Sequence, residues 1–499
     1  MSVYYLIRDY SLGKDVYMNQ PNILLLMCDQ FRGDCLSYAG HPDIKTPYLD
    51  TLASQGAFFD NAYSSCPSCI PARVALFTGK SQEKHGRVGY EDGIDWNYDH
   101  MLAEEMKNHG YQTECIGKMH VHPARKHCGF ETLKLHDGYL GHYRSMDIPH
   151  HQHQEVTDDY LYYLKDHVGQ HADFNATGPE CNSWITHPWI YEERFHPTNW
   201  VADESIRFLK TRDRTRPFFL MSSFVRPHQP FDAPSSYYDM YKDKDLREPA
   251  HGDWDDKEKT EQFGYMKDSI YGCNNAQQRH DAMAGYYACI THVDHQIGRL
   301  LSTLMESGDY DNTVILFLSD HGEMLFDHNL YRKVFPYEGS THIPLLFHIG
   351  KNIKQITPFR TDTIAELRDI MPTILDFAHI PIPEDVDGIS LYPEIIDGKK
   401  TNRPYLHGEH SFHSGLSNHY IVTKTDKFVW YSEKNTEQYF NLEKDPREEH
   451  NAICDPQYKD RIDFLRKILI QELDGREEGY SDGRSLQTGC TPVNMLKNI

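Results

Sequence analysis

The residues with the clearest capacity for chemistry lie between Cys66 and Lys80. Pro71 suits a first helical turn, Val74 to Phe77 give a helix an apolar side, and Gly79 suits a left-handed stop. Cys69 and Arg73 would then stand at a helix N-terminus, where free N–H groups and the helix dipole favour an anion and activate a thiol. A second group is Asp29-Gln30 and Asp320-His321, each at the end of an apolar run. Three oxygen donors and a histidine nitrogen form a ligand set for a hard or intermediate divalent cation. An Asp or Gln after a strand is, taken singly, a turn residue. Recurrence at two run ends beside a reactive cysteine favours a site. Lys118, His120 and His228 follow two further apolar runs. Cys66-Pro67-Ser68-Cys69 is also a Cys-x-x-Cys at a helix start, so thiol–disulfide exchange through Cys66 and Cys69 is a rival reading.

Those residues need elements to hold them. The runs Asn22 to Cys28, Gln112 to Gly117, Pro217 to Phe224 and Thr313 to Ser319 are apolar enough for strands covered on both faces. Between them, helices are expected at 48–54 behind a Thr46-Pro47 cap, from Met101 to His109, from Val201 to Lys210, and from Ala282 to Met305 with Gly308 as its stop. Alternation of this kind predicts an α/β fold, a doubly wound, largely parallel sheet sandwiched by helices, with ligands beyond the carboxyl ends of the strands. The four run ends therefore point to one edge. Residues 121–200 and 232–280 lack a clear period and are expected as insertions near the active site. A helix at 369–378 and a Pro-rich link at 380–383 precede a change of pattern near residue 410. The expected organisation is a dispensable extension at 1–17 with Met18 as an alternative start, a catalytic domain at 18–409, a small α+β subdomain at 410–475, and a disordered polar tail at 476–499.

Fifty-one basic against 74 acidic residues leave a formal charge of −23, which argues against a nucleic-acid or anionic-membrane partner. No run reaches the roughly 18 apolar residues of a membrane span. Met1 to Asp9 lacks a basic region followed by an apolar core, so no signal peptide is expected and a cytoplasmic location follows. The eleven cysteines form no disulfide framework, and Cys28, Cys115 and Cys289 lie in apolar runs as small buried hydrophobes of a reducing compartment do. The cluster His150, His151 and His153 is read as solvated loop.

Cys69-Ile70-Pro71-Ala72-Arg73 resembles the Cys-x-Pro-x-Arg signature of sulfatases, in which the cysteine becomes formylglycine. The resemblance extends along nearly the whole chain. Pro21 to Gln30 is similar to the family's opening strand and metal pair, Thr46 to Ala53 to its first helix, and Gly117-Lys118-Met119-His120 to its second active-site motif. Arg226 to Phe231, Ser319 to Met324, Arg332-Lys333, Tyr337 to Ser340 and Tyr439 to Pro446 match later motifs in order. The look is that of formylglycine-dependent type I sulfatases of the alkaline phosphatase superfamily, nearest to bacterial cytoplasmic arylsulfatases. An alkaline-phosphatase-like fold is implied.

The resemblance also implies roles. Hydrated formylglycine at position 69 presents two geminal hydroxyls, one ionised by the metal and Arg73, and that oxygen attacks sulfur in line. His228 protonates the leaving alcohol, Lys118 and Lys333 neutralise the sulfuryl oxygens, and His120 takes the proton from the second hydroxyl as sulfate departs. The metal ligands are Asp29, Gln30, residue 69, Asp320 and His321. Two of them depart from the family pattern: Gln30 stands where Asp is common, and His321 where Asn is common. The site loses a carboxylate and gains a nitrogen, so Ca2+ is expected with Mn2+ as the second choice. The same pairing resembles phosphonate monoester hydrolases, so hydrolysis of a phosphonate monoester or phosphodiester is the alternative. The expected partners are a small aryl or carbohydrate sulfate and a formylglycine-generating or anaerobic sulfatase-maturating enzyme. The natural ester is not readable from these residues.

Overall fold

Strand β1 (Asn22–Asp29) shows how one apolar run serves two cores. Its side chains alternate, as strand geometry requires, so Leu24, Leu26 and Cys28 enter one hydrophobic cluster while Ile23, Leu25 and Met27 enter another on the opposite face. A strand with no wet face reads as a continuous apolar run, which is why it was legible. The computed structural model describes residues 20–497 apart from 145, 150–151, 175–179 and 413. The expected extension at 1–17, with His150 and His151, lies outside the described residues.

The main sheet comprises β1, β2 (Ala57–Tyr63), β3 (Gln112–Gly117), β4 (Thr132–Leu135), β5 (Phe218–Pro227), β6 (Thr313–Ser319), β7 (Leu345–Ile349) and β8 (Phe359–Glu366). Their order is β4-β3-β5-β1-β6-β7-β2-β8, and β7 alone runs antiparallel to its neighbours. Adjacent strands β3, β5, β1 and β6 end at one edge: Cys28 lies level with Ser319 and Phe224, and Gly117 with Ser223. This is the edge where a doubly wound sheet binds its ligand.

Helix α1 (Pro47–Ser54) follows β1, and α2 (Cys69–Thr78) follows β2. Thr46 does not cap α1 through its side chain; the Asp294 carboxylate accepts the N–H groups of Tyr48 and Leu49 at 3.2 and 2.8 Å instead. Helices α3 (Leu102–Asn108), α4 (Asp159–Val168), α5 (Pro197–Thr211), α6 (Ala276–Ser307) and α7 (Ile370–Phe377) flank the sheet, and Gly308 stops α6 in the left-handed conformation. A second sheet, all antiparallel, has the order β12 (Thr436–Asn441), β11 (Asp426–Tyr431), β10 (Asn418–Val422), β9 (Leu406–His410), and α8 (Lys459–Glu472) packs on it.

Residues 121–200 are more than an insertion. β4 extends the main sheet, and Tyr160, Leu161, Leu164, Trp184 and Trp189 join its core. Elements this short leave no sustained period, which is what hid them. The polar tail is likewise ordered. Tyr480 is buried, Arg476 forms a two-pronged ion pair with Glu409 on β9, and Leu496 N–H donates to the Gly86 carbonyl at 2.7 Å. Its order comes from paired contacts rather than from apolar content.

Candidate active site

All ten residues of α2 are buried, starting from an extended Ser68 and closing at a left-handed Gly79. Cys69 is its first residue. The Cys69 sulfur lies 3.3 Å from His321 Nε2, 3.5 Å from Lys118 Nζ, 3.7 Å from Lys333 Nζ, and 3.6 and 3.8 Å from the two Asp29 oxygens. Burial and Asp29 push the thiol's pKa up, but Lys118, Lys333 and His321 outweigh them and lower it. Arg73, one turn on, is wholly buried. Its Nε donates to Asp320 Oδ2 at 3.0 Å and one terminal nitrogen to the Lys118 carbonyl at 2.8 Å and Ser223 Oγ at 3.2 Å.

The strand ends deliver the rest. Asp29 ends β1, and its carboxylate pairs with Lys118. Burial alone would raise its pKa, yet Lys118 and Lys333 hold it well below the usual range. Asp320, after β6, accepts from the Gln30 and His321 backbone N–H groups at 3.1 and 3.0 Å. Lys118 follows β3, where Gly117 has φ +101° and a Cβ would stand 1.9 Å from the Ser223 carbonyl oxygen. Only glycine allows that approach. Beyond it, Met119 and His120 donate their N–H groups to Asp137 at 2.9 and 3.0 Å. His228 follows β5 and donates its N–H to the Asp29 carbonyl at 3.1 Å. Burial, with Lys118 behind it for His120 and Lys333 for His228, holds both imidazoles well below their ordinary pKa.

Asp29, Cys69, Asp320 and His321 are fully enclosed, with ligand atoms within 4.8 Å of one another. His321 Nδ1 faces the Gly322 carbonyl at 2.9 Å, and its Nε2 lies 3.3 Å from Asp29 Oδ1 and 3.7 Å from Asp320 Oδ1. Burial would lower its pKa, yet Asp320 raises it; a bound cation would displace the Nε2 proton and leave Nδ1–H on the carbonyl. A nitrogen aimed at two carboxylates fits a cation between them. Gln30 adds an oxygen: its Nε2 donates to Gln229 Oε1 at 2.9 Å and to Glu323, which turns Oε1 toward Lys333 Nζ at 2.7 Å. Asp29, Gln30, Asp320 and His321 would hold the ion.

Among the described residues, buried atoms around this centre that lack a hydrogen-bond partner include one terminal Arg73 nitrogen, His120 Nδ1 and His228 Nε2. Buried polar atoms are rarely left so outside a binding site. Cys69, Lys333 and His228 open on a cavity of about 480 Å3, walled by Tyr90, Cys181, Val334 and Phe412. The structure brings Asp29, Gln30, Cys69, Arg73, Lys118, Asp320, His321 and Lys333 into direct contact, with His228 lining the cavity and His120 reaching it through Tyr90, whose hydroxyl is 3.5 Å from Nε2. Sequence reasoning missed Asp137, Ser223, Gln229 and Glu323, which orient the others. Glu323 stood in view in Asp320-His321-Gly322-Glu323, but its role needs Gln30 beside it. Cys66 is a poor redox partner for Cys69. Its thiol is buried with its pKa raised, while Cys69 is committed to the cationic cluster.

A buried cysteine ringed by cations, next to an acidic cluster suited to a cation at the carboxyl edge of a doubly wound sheet, fits a hydrolase of tetrahedral oxyanion esters. The family model described as sulfatase matches residues 21–380, and one described as N-sulphoglucosamine sulphohydrolase, C-terminal, matches residues 326–474. An arylsulfatase of Clostridium perfringens is 53% identical over 96% of this chain and 100% of its own length. Among solved structures, a phosphonate monoester hydrolase of Agrobacterium radiobacter is 25% identical with a TM-score of 0.74, covering 91% of this chain and 95% of its own. Another, bound to its substrate D-glucosamine-2-N,6-O-disulfate, has a TM-score of 0.70 at 22% identity over 91% of this chain and 97% of its own, and shares the fold. The chain belongs to the sulfatase family, and it is a sulfuric ester hydrolase. Among the described residues, no helix is long and apolar enough to cross a membrane.

Proposed function

We propose that the protein hydrolyses a small aryl or carbohydrate sulfate monoester through formylglycine made from Cys69 by a maturating enzyme, in a cytoplasmic setting. The convergence of Lys118, Lys333 and His321 on the Cys69 sulfur carries this reading, with that sulfur marking where the nucleophilic oxygen of the hydrated aldehyde would stand. The hydrate supplies one hydroxyl oxygen to attack sulfur and a second hydroxyl whose deprotonation releases sulfate. Lys118 and Lys333 neutralise the sulfuryl oxygens as charge builds on them, and Arg73 fixes Asp320 and offers its free nitrogen to the anion. His228 is neutral in the free enzyme because Lys333 and burial depress it. A bound sulfate offsets that lysine, so His228 can carry the proton that the leaving alcohol takes. His120, kept neutral by burial and Lys118, accepts the hydroxyl proton. A cation held by Asp29, Gln30, Asp320 and His321 would stabilise negative charge on the nucleophilic oxygen. Mostly oxygen donors favour Ca2+, and the His321 nitrogen leaves Mn2+ as the second choice.

The likeness to a phosphonate monoester hydrolase keeps phosphorus esters as the comparison. Protein made with a sulfatase-maturating enzyme should show an aldehyde at residue 69 by peptide mass spectrometry. It should also turn over an aryl sulfate faster than an aryl phosphonate monoester or phosphodiester. After chelation, Ca2+ should restore more activity than Mn2+. Full activity with an alkylatable thiol at Cys69, or preference for a phosphorus ester, would overturn the reading.

A further inference from the structure

The cavity in front of Cys69 holds a cation that the chemistry above leaves unused. Arg332 lines it beside Lys333. Its backbone is clamped in the left-handed conformation, φ 71°, with its N–H on the Glu323 carboxylate and its carbonyl accepting from Met324 N at 2.7 Å. A non-glycine residue in that conformation is held by its surroundings, so the direction of the side chain is imposed. Its Nε is buried without a hydrogen-bond partner, and no carboxylate among the described residues lies within ion-pair distance of the guanidinium. The buried Arg73, Arg144 and Arg226 are matched, with Asp320, with Asp92 and Asp137, and with Asp232. The acids on the same wall do not serve Arg332. Asp92 is taken by Arg144 at 3.1 Å, Glu180 by Lys267 at 2.7 Å, and Asp268 is exposed.

Arg332 is half-buried, and its Nε is enclosed without an acceptor. An enclosed donor left unpaired is costly, and the planar fork of a guanidinium suits a carboxylate or sulfate in two-pronged contact. We infer that Arg332 is a specificity determinant that binds a second anionic group on the leaving alcohol, so that the preferred substrates are sulfate esters that also carry a carboxylate or a further sulfate near the scissile bond. Its neighbour in sequence, Lys333, lines the same cavity and lies 3.7 Å from the Cys69 sulfur, so an anion held by Arg332 would share that cavity with the scissile group. The inference rests on the sulfatase reading.

The test compares isosteric pairs on the aldehyde-bearing enzyme: 3- and 4-carboxyphenyl sulfate against the corresponding carbamoylphenyl sulfates, with 1,3-phenylene disulfate as the arm that separates sulfate from carboxylate. The expected wild-type preference in kcat/KM for at least one anionic member is about tenfold or more, the size of a hydrogen-bonded charge contact. In Arg332→Gln that ratio should fall toward one, and in Arg332→Lys it should fall part of the way. Because the readout is a ratio within each variant, a general loss of folded protein does not mimic it. A wild type that turns over the esters without preference, or an R332Q variant slowed equally on both members with the ratio intact, overturns the inference. The second result would make Arg332 a contact of the scissile sulfate. Failure of the aldehyde-bearing wild type on every sulfate would instead strike the sulfatase reading itself.

Discussion

Gln30 shows how a departure from the family pattern is accommodated. An amide is weaker than a carboxylate as a cation ligand, and it presents oxygen only if something holds its nitrogen away. Glu323 and Gln229 do so, and burial of Glu323 raises its pKa. Tyr331 and the backbone N–H of Leu325 complete that network. Lys333 then meets both the Gln30 oxygen and the Cys69 sulfur, and among the described residues it forms no ion pair that its removal would break. Lys333→Ala is therefore expected to lower kcat on an aryl sulfate by about 10²–10³, as losing one preorganised charge contact does, with the melting temperature little changed. Steady-state kinetics beside thermal melts decide it. Undiminished turnover would remove Lys333 from the site.

At the scale of elements, position is set by where four neighbouring strands stop. β1, β3 and β6 end within one residue of a common level, while β5 runs on to Pro227 and brings His228 over Asp29. The turn after β3 depends on Gly117. Gly117→Ala would place a methyl against the backbone oxygen of Ser223, which cannot swing aside, in a conformation that costs an L-residue about 1–3 kcal/mol. The expected result is a lower melting temperature and a loss of activity out of proportion to it, because Lys118 is displaced from Asp29 and Cys69. Equal activity per folded molecule would contradict this. Asp137, just after β4, holds the same turn from the other side, so a stretch read as an insertion proves to be part of the support.

At the scale of the molecule, the second sheet and the tail close over the start of α2. His410 on β9 lies 2.8 Å from Ser68 Oγ through Nε2, and the tail pairs with Gly86 to Gly89, next to Tyr90 in the cavity wall. Burial lowers the pKa of histidines here and in the main domain: His85 and His410 to about 3, and, away from this closure, His41 and His348 to about 4. In the unfolded chain each would titrate near 6.5, so between that value and the folded one the unfolded state binds more protons. Their contribution is fully present above pH 6.5 and is lost as pH falls, at about 1.4 kcal/mol per pH unit for each. Melting temperatures should drop steadily from pH 6.5 to 4.5. A flat profile would show that these imidazoles are not buried neutral.

The sequence by itself determined the fold class and singled out the candidate reacting groups. Runs such as Asn22 to Cys28 are apolar throughout because both faces of the strand are covered, and the polar residues that follow them mark the binding edge. Cys69, Arg73, Lys118 and Asp320 could be named on type and spacing, backed by family likeness. What tertiary structure decided is whatever depends on a partner distant in the chain. β2, with Asp60 and Asn61 inside it, and β8, which alternates, are strands because each pairs with the other. The tail is ordered because Arg476 meets Glu409, and Glu323 matters because Gln30 lies against it. Arg332 is distinctive for a similar reason: composition counts it as one cation among 51, and only its place in the cavity shows that no carboxylate among the described residues answers it.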